Sequence, residues 1–248
     1  MIITSPERSD ASGRATIHAD GAVRTYNLVN AEAERASGRI DVIDVDGGAS
    51  HRLDLGGHES AVVVVGGSGA LADDSGRSVI SEGSFAQLPA GRIAALHADA
   101  GGLRVLLITG GHVAEGGAVR RVGRIGEVED NPFHDPDAGF LHMSARWLID
   151  SDHGGSRTFT LGQSTFAGER GSHELHRHPG GQEFFYILEG EGVQLVDDGE
   201  PAPMGAGDLV FVPRSEWHGF RNTGSSELRA IFGYLGAESL EAGGYELP

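Results

Sequence analysis

Short apolar runs, each closed by a glycine-rich turn, recur along the whole chain. This rhythm limits what the chain can fold into more than any other feature. Ile40–Val45, Ala61–Val65 and Leu103–Ile108 have the alternation and β-branched content of strands, as do Arg157–Phe166, Glu183–Leu188, Val193–Val196, Leu209–Val212 and Leu228–Tyr234. Turns such as Val65-Gly66-Gly67-Ser68-Gly69 and Asp197-Asp198-Gly199-Glu200-Pro201 separate them. Glycine supplies 40 of the 248 residues, more than double its usual share of ~7%. Helical patterns are brief, and Ala31–Ala36 and Ala237–Ala242 are the best of them. Many short strands at regular spacing predict an all-β chain built as a barrel or sandwich.

The two halves share a weak internal repeat. Gly67-Ser68-Gly69 in the first half matches Gly190-Glu191-Gly192 in the second, each after an apolar strand. Gly83 and Gly207 follow at nearly equal distances. Each opens a Gly-x5-Pro spacing that ends at Pro89 and Pro213, and an apolar strand comes next in both halves. The repeat predicts two barrels, over about 25–115 and 144–236, with 116–143 as the linker. Charge divides along the same line, −3 over residues 1–125 and −14 over 126–248.

Composition excludes several chemistries. With no Cys there is no disulfide frame, thiol nucleophile or thiolate metal site. With no Lys there is no Schiff-base or P-loop lysine chemistry. A net charge of −17 argues against nucleic acid as a partner, which needs a basic footprint. No apolar run is long enough for a membrane span, and the first residues lack a signal core, so a cytoplasmic protein is expected. Edge strands of such barrels are a hazard unless covered, which makes a homodimer the expected assembly.

The chemistry lies in Gly171-Ser172-His173-Glu174-Leu175-His176-Arg177-His178-Pro179-Gly180-Gly181-Gln182-Glu183. On a strand, residues two apart share a face, so His176 and His178 point the same way. The Pro-Gly-Gly turn reverses the chain and lets Glu183 return to that face. Pro213-Arg214-Ser215-Glu216-Trp217-His218 offers a third imidazole on another strand. Three imidazoles and a carboxylate around one point suit one divalent transition metal per chain, with Fe, Mn, Ni and Zn all open.

These residues resemble the two motifs of the cupin family. Gly171, His176, His178, Glu183 and Gly190 fall on the first motif, and Gly207, Pro213, His218 and Asn222 on the second. Ser215 stands where the second motif often has Gly. With the weaker first-half repeat, the whole chain resembles a bicupin. The resemblance implies two jelly-roll barrels, with metal ligands at His176, His178, Glu183 and His218 in the C-terminal one.

The first half departs from the pattern. The ligand positions fall there on Leu53, Leu55, Ser60 and Ala94, and no His-x-His precedes residue 126. The N-terminal barrel is therefore expected to be metal-free, with its pocket collapsed around apolar side chains. His51, His58 and His97 read as ordinary polar residues. In the second half, parity places His173 on the outside; Glu174 shares the parity of His176, which would let it line the mouth, but reads as solvated. Phe185, Phe211, Trp217 and Phe220 read as core or cavity wall, while Arg157, Arg214 and Arg221 face outward. His134, His142 and His153 belong to no motif.

Four donors on an octahedral ion leave two adjacent positions for a small organic substrate, water or dioxygen. This favours a dioxygenase-type oxidoreductase that cleaves a C–C bond in an enolisable, diketone-like or hydroxylated substrate, with Glu183 as the catalytic base. A non-redox isomerase, lyase or decarboxylase uses the same ligands, and so does a non-catalytic small-ligand module.

Overall fold

Strands form where the sequence alternates and stop at glycines that take left-handed backbone. The computed structural model describes residues 1–18, 21–113, 120–197 and 199–248. Residues 114–119, across the expected start of the linker, and Asp198, in an expected turn, lie outside the described residues. The chain is all-β, with two short α-helices among the described residues, Pro6–Ala11 and Leu240–Gly243. It divides into two compact units. One comprises Met1–Ser5, Val128–Asp150 and Phe159–Pro248, and the other Pro6–Glu127 and Ser151–Thr158.

The unit built on Pro6–Glu127 holds a nine-stranded sheet among the described residues. Its two long strands, His58–Asp73 and Ile93–His112, pair antiparallel along most of their length. Arg39–Val45 flanks the second and Ser84–Leu88 the first. Val62, Val64, Leu71, Leu88, Leu96 and Leu107 pack into one core. Leu53, Leu55 and Ala94 join that core, and Ser60 is fully buried. The expected collapse of this barrel does not occur. Leu53 and Leu55 form part of the wall of a cavity of about 730 Å³ that also carries Arg39, Asp41, His51 and Arg52. Leucines replace the ligands, and polar and charged side chains make up most of the rest of the wall.

Ala31–Ala36, expected to be helical, is a turn. Asn30 Oδ1 accepts from the amides of Glu32 and Ala33, both at 3.0 Å, and the chain leaves at Arg35 with φ +51°. A single turn held at its start and broken at its end does not propagate.

The unit that contains Phe159–Pro248 holds an eleven-stranded sheet among the described residues. Gln182–Glu189 lies between Leu209–Val212 and Leu228–Leu235, and Ile2–Thr4 extends the sheet beyond Leu209–Val212. Ser172–His176 pairs with His218–Asn222, which in turn pairs with Glu191–Val196. The stretch expected as linker is largely folded here. Asn131–Asp135 and Phe140–Ile149 are paired strands of this sheet. Their Asn-Pro and Asp-Pro steps read as breakers, but Pro132 sits in a strand that pairs only with Phe140–Ile149, where a missing amide is tolerated.

The repeat read from glycines is visible in the backbone. Gly67 and Gly190 both have positive φ, +76° and +87°, as do Gly83 and Gly207 at +78° and +89°. A Cβ on Gly190 would lie 2.6 Å from the Glu227 carbonyl oxygen, so only glycine fits at that crossing. Asn222, the last residue of the second motif, closes its own turn. Its Nδ2 donates to the carbonyls of Phe166 at 3.0 Å and Ser226 at 2.7 Å, and its Oδ1 accepts from Gly224 at 2.9 Å. The core beneath is aromatic. Phe220 lies 5.0 Å from Phe166 and 4.7 Å from Phe185, centroid to centroid. Burying each such ring contributes about 1.5–3 kcal/mol, and each ring pair about 0.5–1.5 more.

Candidate metal centre

His176 ends the strand Ser172–His176, His178 follows it, Glu183 is the second residue of Gln182–Glu189, and His218 opens His218–Asn222. All four are buried, and their donor atoms lie within 4.8 Å of one another. They are the one group of this kind among the described residues. Glu183 Oε2 lies 2.6 Å from His218 Nε2, 3.3 Å from His178 Nε2 and 3.6 Å from His176 Nε2.

The tautomers follow from the other ring nitrogen. His176 Nδ1 lies 2.7 Å from the Glu174 carbonyl, His178 Nδ1 2.5 Å from that of Gly244, and His218 Nδ1 2.9 Å from that of Glu216. A carbonyl only accepts, so each Nδ1 carries the proton, and each neutral ring aims an Nε2 lone pair inward. Three lone pairs then face a carboxylate. His176 Nε2 is buried without a hydrogen-bond partner. Something positive belongs between these atoms, a proton or a metal cation. Ligand bonds of about 2.0–2.2 Å require donors roughly 3–4 Å apart, which is close to the observed spacing. The residues present fit one divalent transition-metal ion.

Without an ion, protons on the histidines take the place of that positive charge. Burial opposes charge on Glu183, but His178, then His176 and His218, more than offset it and hold the carboxyl well below the usual range. Burial pulls His176 down, whereas at His178 the attraction of Glu183 overcomes burial and pulls it up. Ser215 makes the turn that delivers His218. It takes φ +61°, which explains why glycine is usual there, and its amide donates to the His178 carbonyl at 3.0 Å.

His173 is not outside. It is 7% exposed and its ring stacks on His176, 3.7 Å between centroids and 18° from parallel. Its Nε2 lies 3.1 Å from Tyr245 Oη, which donates to the Ala138 carbonyl at 2.6 Å. Burial, and then His176 beside it, holds its imidazole well below the usual range. Glu174 pairs with Arg221 at 3.2 Å near the surface, and the Arg177 guanidinium lies over the Trp217 ring at 4.6 Å.

Tyr234 and Tyr245 are the site residues that sequence reasoning missed. Tyr234 Oη lies 3.4 Å from His178 Nε2, and burial, then Glu183, raises its phenol well above the usual range. Burial pushes Tyr245 up to about 12, with Glu183 and Asp135 adding to the shift. The strand containing Tyr234 was legible. Tyr245 sits in an irregular tail segment with no periodic signal. That segment is tied across the site by the reciprocal amide bonds of Arg177 with Glu246, at 3.0 and 3.1 Å.

A cavity of about 230 Å³ opens beside the centre. His173, His178, Glu183, Tyr234 and Tyr245 form its polar end, and Phe140, Met143, Trp147, Phe166, Phe185 and Phe232 wall the rest. Of the aromatic residues expected in the wall, Phe185 lines it, while Phe211 and Phe220 are buried core.

Two all-β units, one carrying a three-histidine, one-glutamate group, define a metal-binding bicupin. The comparisons with known proteins find a cupin domain in the second half of the chain. Residues 163–234 match the family model of the Cupin domain. Over 57 residues the chain is 46% identical to the Oxalate-binding protein of Thermotoga maritima, covering 23% of this chain and 46% of that one. It is 40% identical over 57 residues to Polyketide synthase CurC of Streptomyces cyaneus, covering 23% and 36%. The chain spans less than half the length of these curated relatives. Among solved structures, the oxalate decarboxylase of Lactobacillus farciminis in complex with formate superposes with TM-score 0.74 at 14% identity, over 96% of this chain and 87% of that one. Protein Ylba from E. coli superposes with TM-score 0.74 at 16% identity, over 94% and 89%. At these identities the likeness is one of fold.

Proposed function

We propose that this protein is a metal-dependent enzyme of dioxygenase type acting on a small organic substrate, with one divalent metal held by His176, His178, Glu183 and His218. The observation that carries the reading is the convergence of three Nε2 atoms on the Glu183 carboxylate, with His176 Nε2 buried and without a hydrogen-bond partner. A bound ion supplies a Lewis acid and, if it is iron, a one-electron redox centre. The chain's own residues do the rest. The three Nδ1–carbonyl bonds fix ring orientation, the aromatic wall excludes water, and the Glu183 carboxylate accepts the acidic proton of an enolisable substrate. Tyr234 Oη, beside His178, is placed to donate to a substrate oxygen.

A non-redox decarboxylase is the second reading, supported by the fold of the oxalate decarboxylases. A non-catalytic module is the third, and the name of the oxalate-binding relative supports it. The first is preferred because the cavity beside the centre is walled by hydrocarbon. A cytoplasmic homodimer belongs to the same reading. Elemental analysis combined with oxygen uptake on a diketone and catechol panel tests the function. Metal without oxygen uptake on any of them removes the dioxygenase, and light scattering at the monomer mass removes the dimer.

A further inference from the structure

Two kinds of backbone enclose the metal centre. Leu240, Gly244 and Tyr245 come from the four-residue helix Leu240–Gly243 and the irregular chain after it. Apart from them and His178, which directly follows Ser172–His176, every residue of the wall lies on a strand. A strand cannot leave without breaking its ladder. We propose that residues 240–246 are a hinged cover over the metal centre, which opens as a unit while the sheet stays closed, and that the cover retains the ion when shut. The retention rests on the metal reading above. The hinged cover does not.

The fastening of the segment is the first argument. Gly180 donates its amide to the Gly243 carbonyl at 2.8 Å. Arg177 and Glu246 exchange amide bonds at 3.0 and 3.1 Å, and Arg177 Nη2 lies 2.6 Å from Glu246 Oε2. His178 Nδ1 donates to the Gly244 carbonyl at 2.5 Å, and Tyr245 Oη to that of Ala138 at 2.6 Å. Apolar burial adds little, because Leu240, Tyr245 and Leu247 stay 46%, 37% and 42% exposed. A segment held by exposed hydrogen bonds, with few buried apolar contacts, opens well below the free energy of global unfolding.

The pivots are the second argument. Gly236 follows the strand Leu228–Leu235 with φ +80°, and Gly244 has φ +71°. Hinges are a few positions at the ends of elements that absorb large backbone rotations, and glycine does so at least steric cost. Between the two, Ser239 accepts from the Ala242 amide at 3.1 Å and makes the short helix one piece.

The third argument is where the fastenings land. Arg177, His178 and Gly180 lie on the turn between the first two histidine ligands and Glu183. When the cover is shut, the Gly244 carbonyl orients the His178 ring. Loss of such an outer partner weakens metal binding by about 10–100-fold. Opening therefore uncovers the cavity and loosens the ion in one movement.

A staple tests this. The chain has no Cys, so an introduced pair has no competitor. Residues 177 and 246 exchange both amide bonds, a pairing that sets Cα atoms about 5.5 Å apart, within the span of about 4.4–6.8 Å that a disulfide bridges. Arg177→Cys/Glu246→Cys is expected to lock the cover, and a phosphine reductant to free it. Extraction of the metal by pyridine-2,6-dicarboxylate is expected to be at least about tenfold slower from the oxidised protein than from the same protein reduced. Equal rates overturn the proposal. Gly180→Ala pushes the other way. Its backbone is not left-handed, so alanine is tolerated there, but the Cβ would collide with the Ala242 carbonyl oxygen and lift the cover. Extraction about tenfold faster than from wild type is expected, and an unchanged rate overturns the proposal. Should that variant not fold, the staple decides. Amide exchange followed by nuclear magnetic resonance on the wild type reads the cover without the ion. The amides of Arg177, Gly180 and Glu246, which bridge cover and barrel, are expected to exchange at least about tenfold faster than those within Gln182–Glu189. Exchange as slow as in that strand refutes a cover that moves by itself. If the purified protein carries no metal, the metal reading fails while the exchange result still decides the cover.

Discussion

His173 and His176 stack face to face, 3.7 Å between ring centroids, although three residues of a strand should set them on opposite sides. The ladder explains it. His173 pairs with Phe220 and His176 with His218, so three steps on one strand face two on the other. The extra residue is a β-bulge, and a bulge resets the parity of the side chains. Gly219 sits opposite, where a Cβ would lie 2.8 Å from the His173 carbonyl oxygen. The stack holds the His176 ring in place. His173→Ala is expected to lower metal affinity about tenfold, the lower end for loss of a group that orients a ligand, and His173→Phe to retain most of it. Competition with a chromogenic chelator measures both, and equal affinity in the two variants would remove the stacking role.

Replacing His176 and His178 together by Ala is expected to abolish metal binding while leaving the far-ultraviolet circular dichroism of a β protein intact. Glu183→Gln is expected to keep some metal and lose activity, because the amide neither balances the ion's charge nor takes a proton. Elemental analysis per chain decides it. A double variant with a full equivalent of metal would show that the ligands lie elsewhere.

Chelation is expected to lower the melting temperature. An ion present at about 100 times its dissociation constant stabilises the folded state by about 2.7 kcal/mol, which shifts the midpoint by several degrees in a unit of this size. Differential scanning calorimetry with and without a chelator reads the shift. Identical midpoints would argue that the four residues hold no ion.

Two glycines of the repeat separate backbone strain from steric clash. Gly190 has φ +87° and its Cβ would strike the Glu227 carbonyl, whereas Gly207 has φ +89° with open space around it. Gly207→Ala is expected to cost about 1 kcal/mol and Gly190→Ala more than ~2 kcal/mol. Denaturant titration ranks them, and the reverse order would contradict the packing described for Gly190.

Asp41, 2% exposed in the N-terminal unit, gives a pH dependence. Burial raises its pKa despite the opposing charge of Arg39 and the hydrogen bond from Asn27. A raised folded-state pKa means that the folded state holds the proton more tightly. The resulting stability is fully present below the ordinary aspartate range and is lost as pH rises through the folded pKa. Wild type is therefore expected to gain stability relative to Asp41→Asn as pH falls from neutrality, read from paired thermal melts. A constant difference across that range would mean that Asp41 titrates normally.

Much of this was legible from residues alone. The strands, the repeat and the convergence of His176, His178, Glu183 and His218 follow from alternation and from where glycine permits a turn. What was not legible has a common cause. His173, Tyr245 and the Gly244 carbonyl reach the site through a bulge or an irregular segment, where no period exists to read. Pro132 reads as a breaker because a missing amide usually marks a loop, yet a strand with a single partner tolerates it. The open cavity beside Leu53 escaped because pattern reports which side chains face inward and not whether they meet.

Ile2–Thr4 pairs with Leu209–Val212, its partner about 200 residues later in the chain. At about 5–20 residues per second, a ribosome needs roughly 10–40 s to travel from one to the other. Throughout that interval the segment has no partner within its own sheet. The metal-bearing unit thus draws one strand from far earlier in the chain than its partner, and that pairing waits on the synthesis of Leu209–Val212.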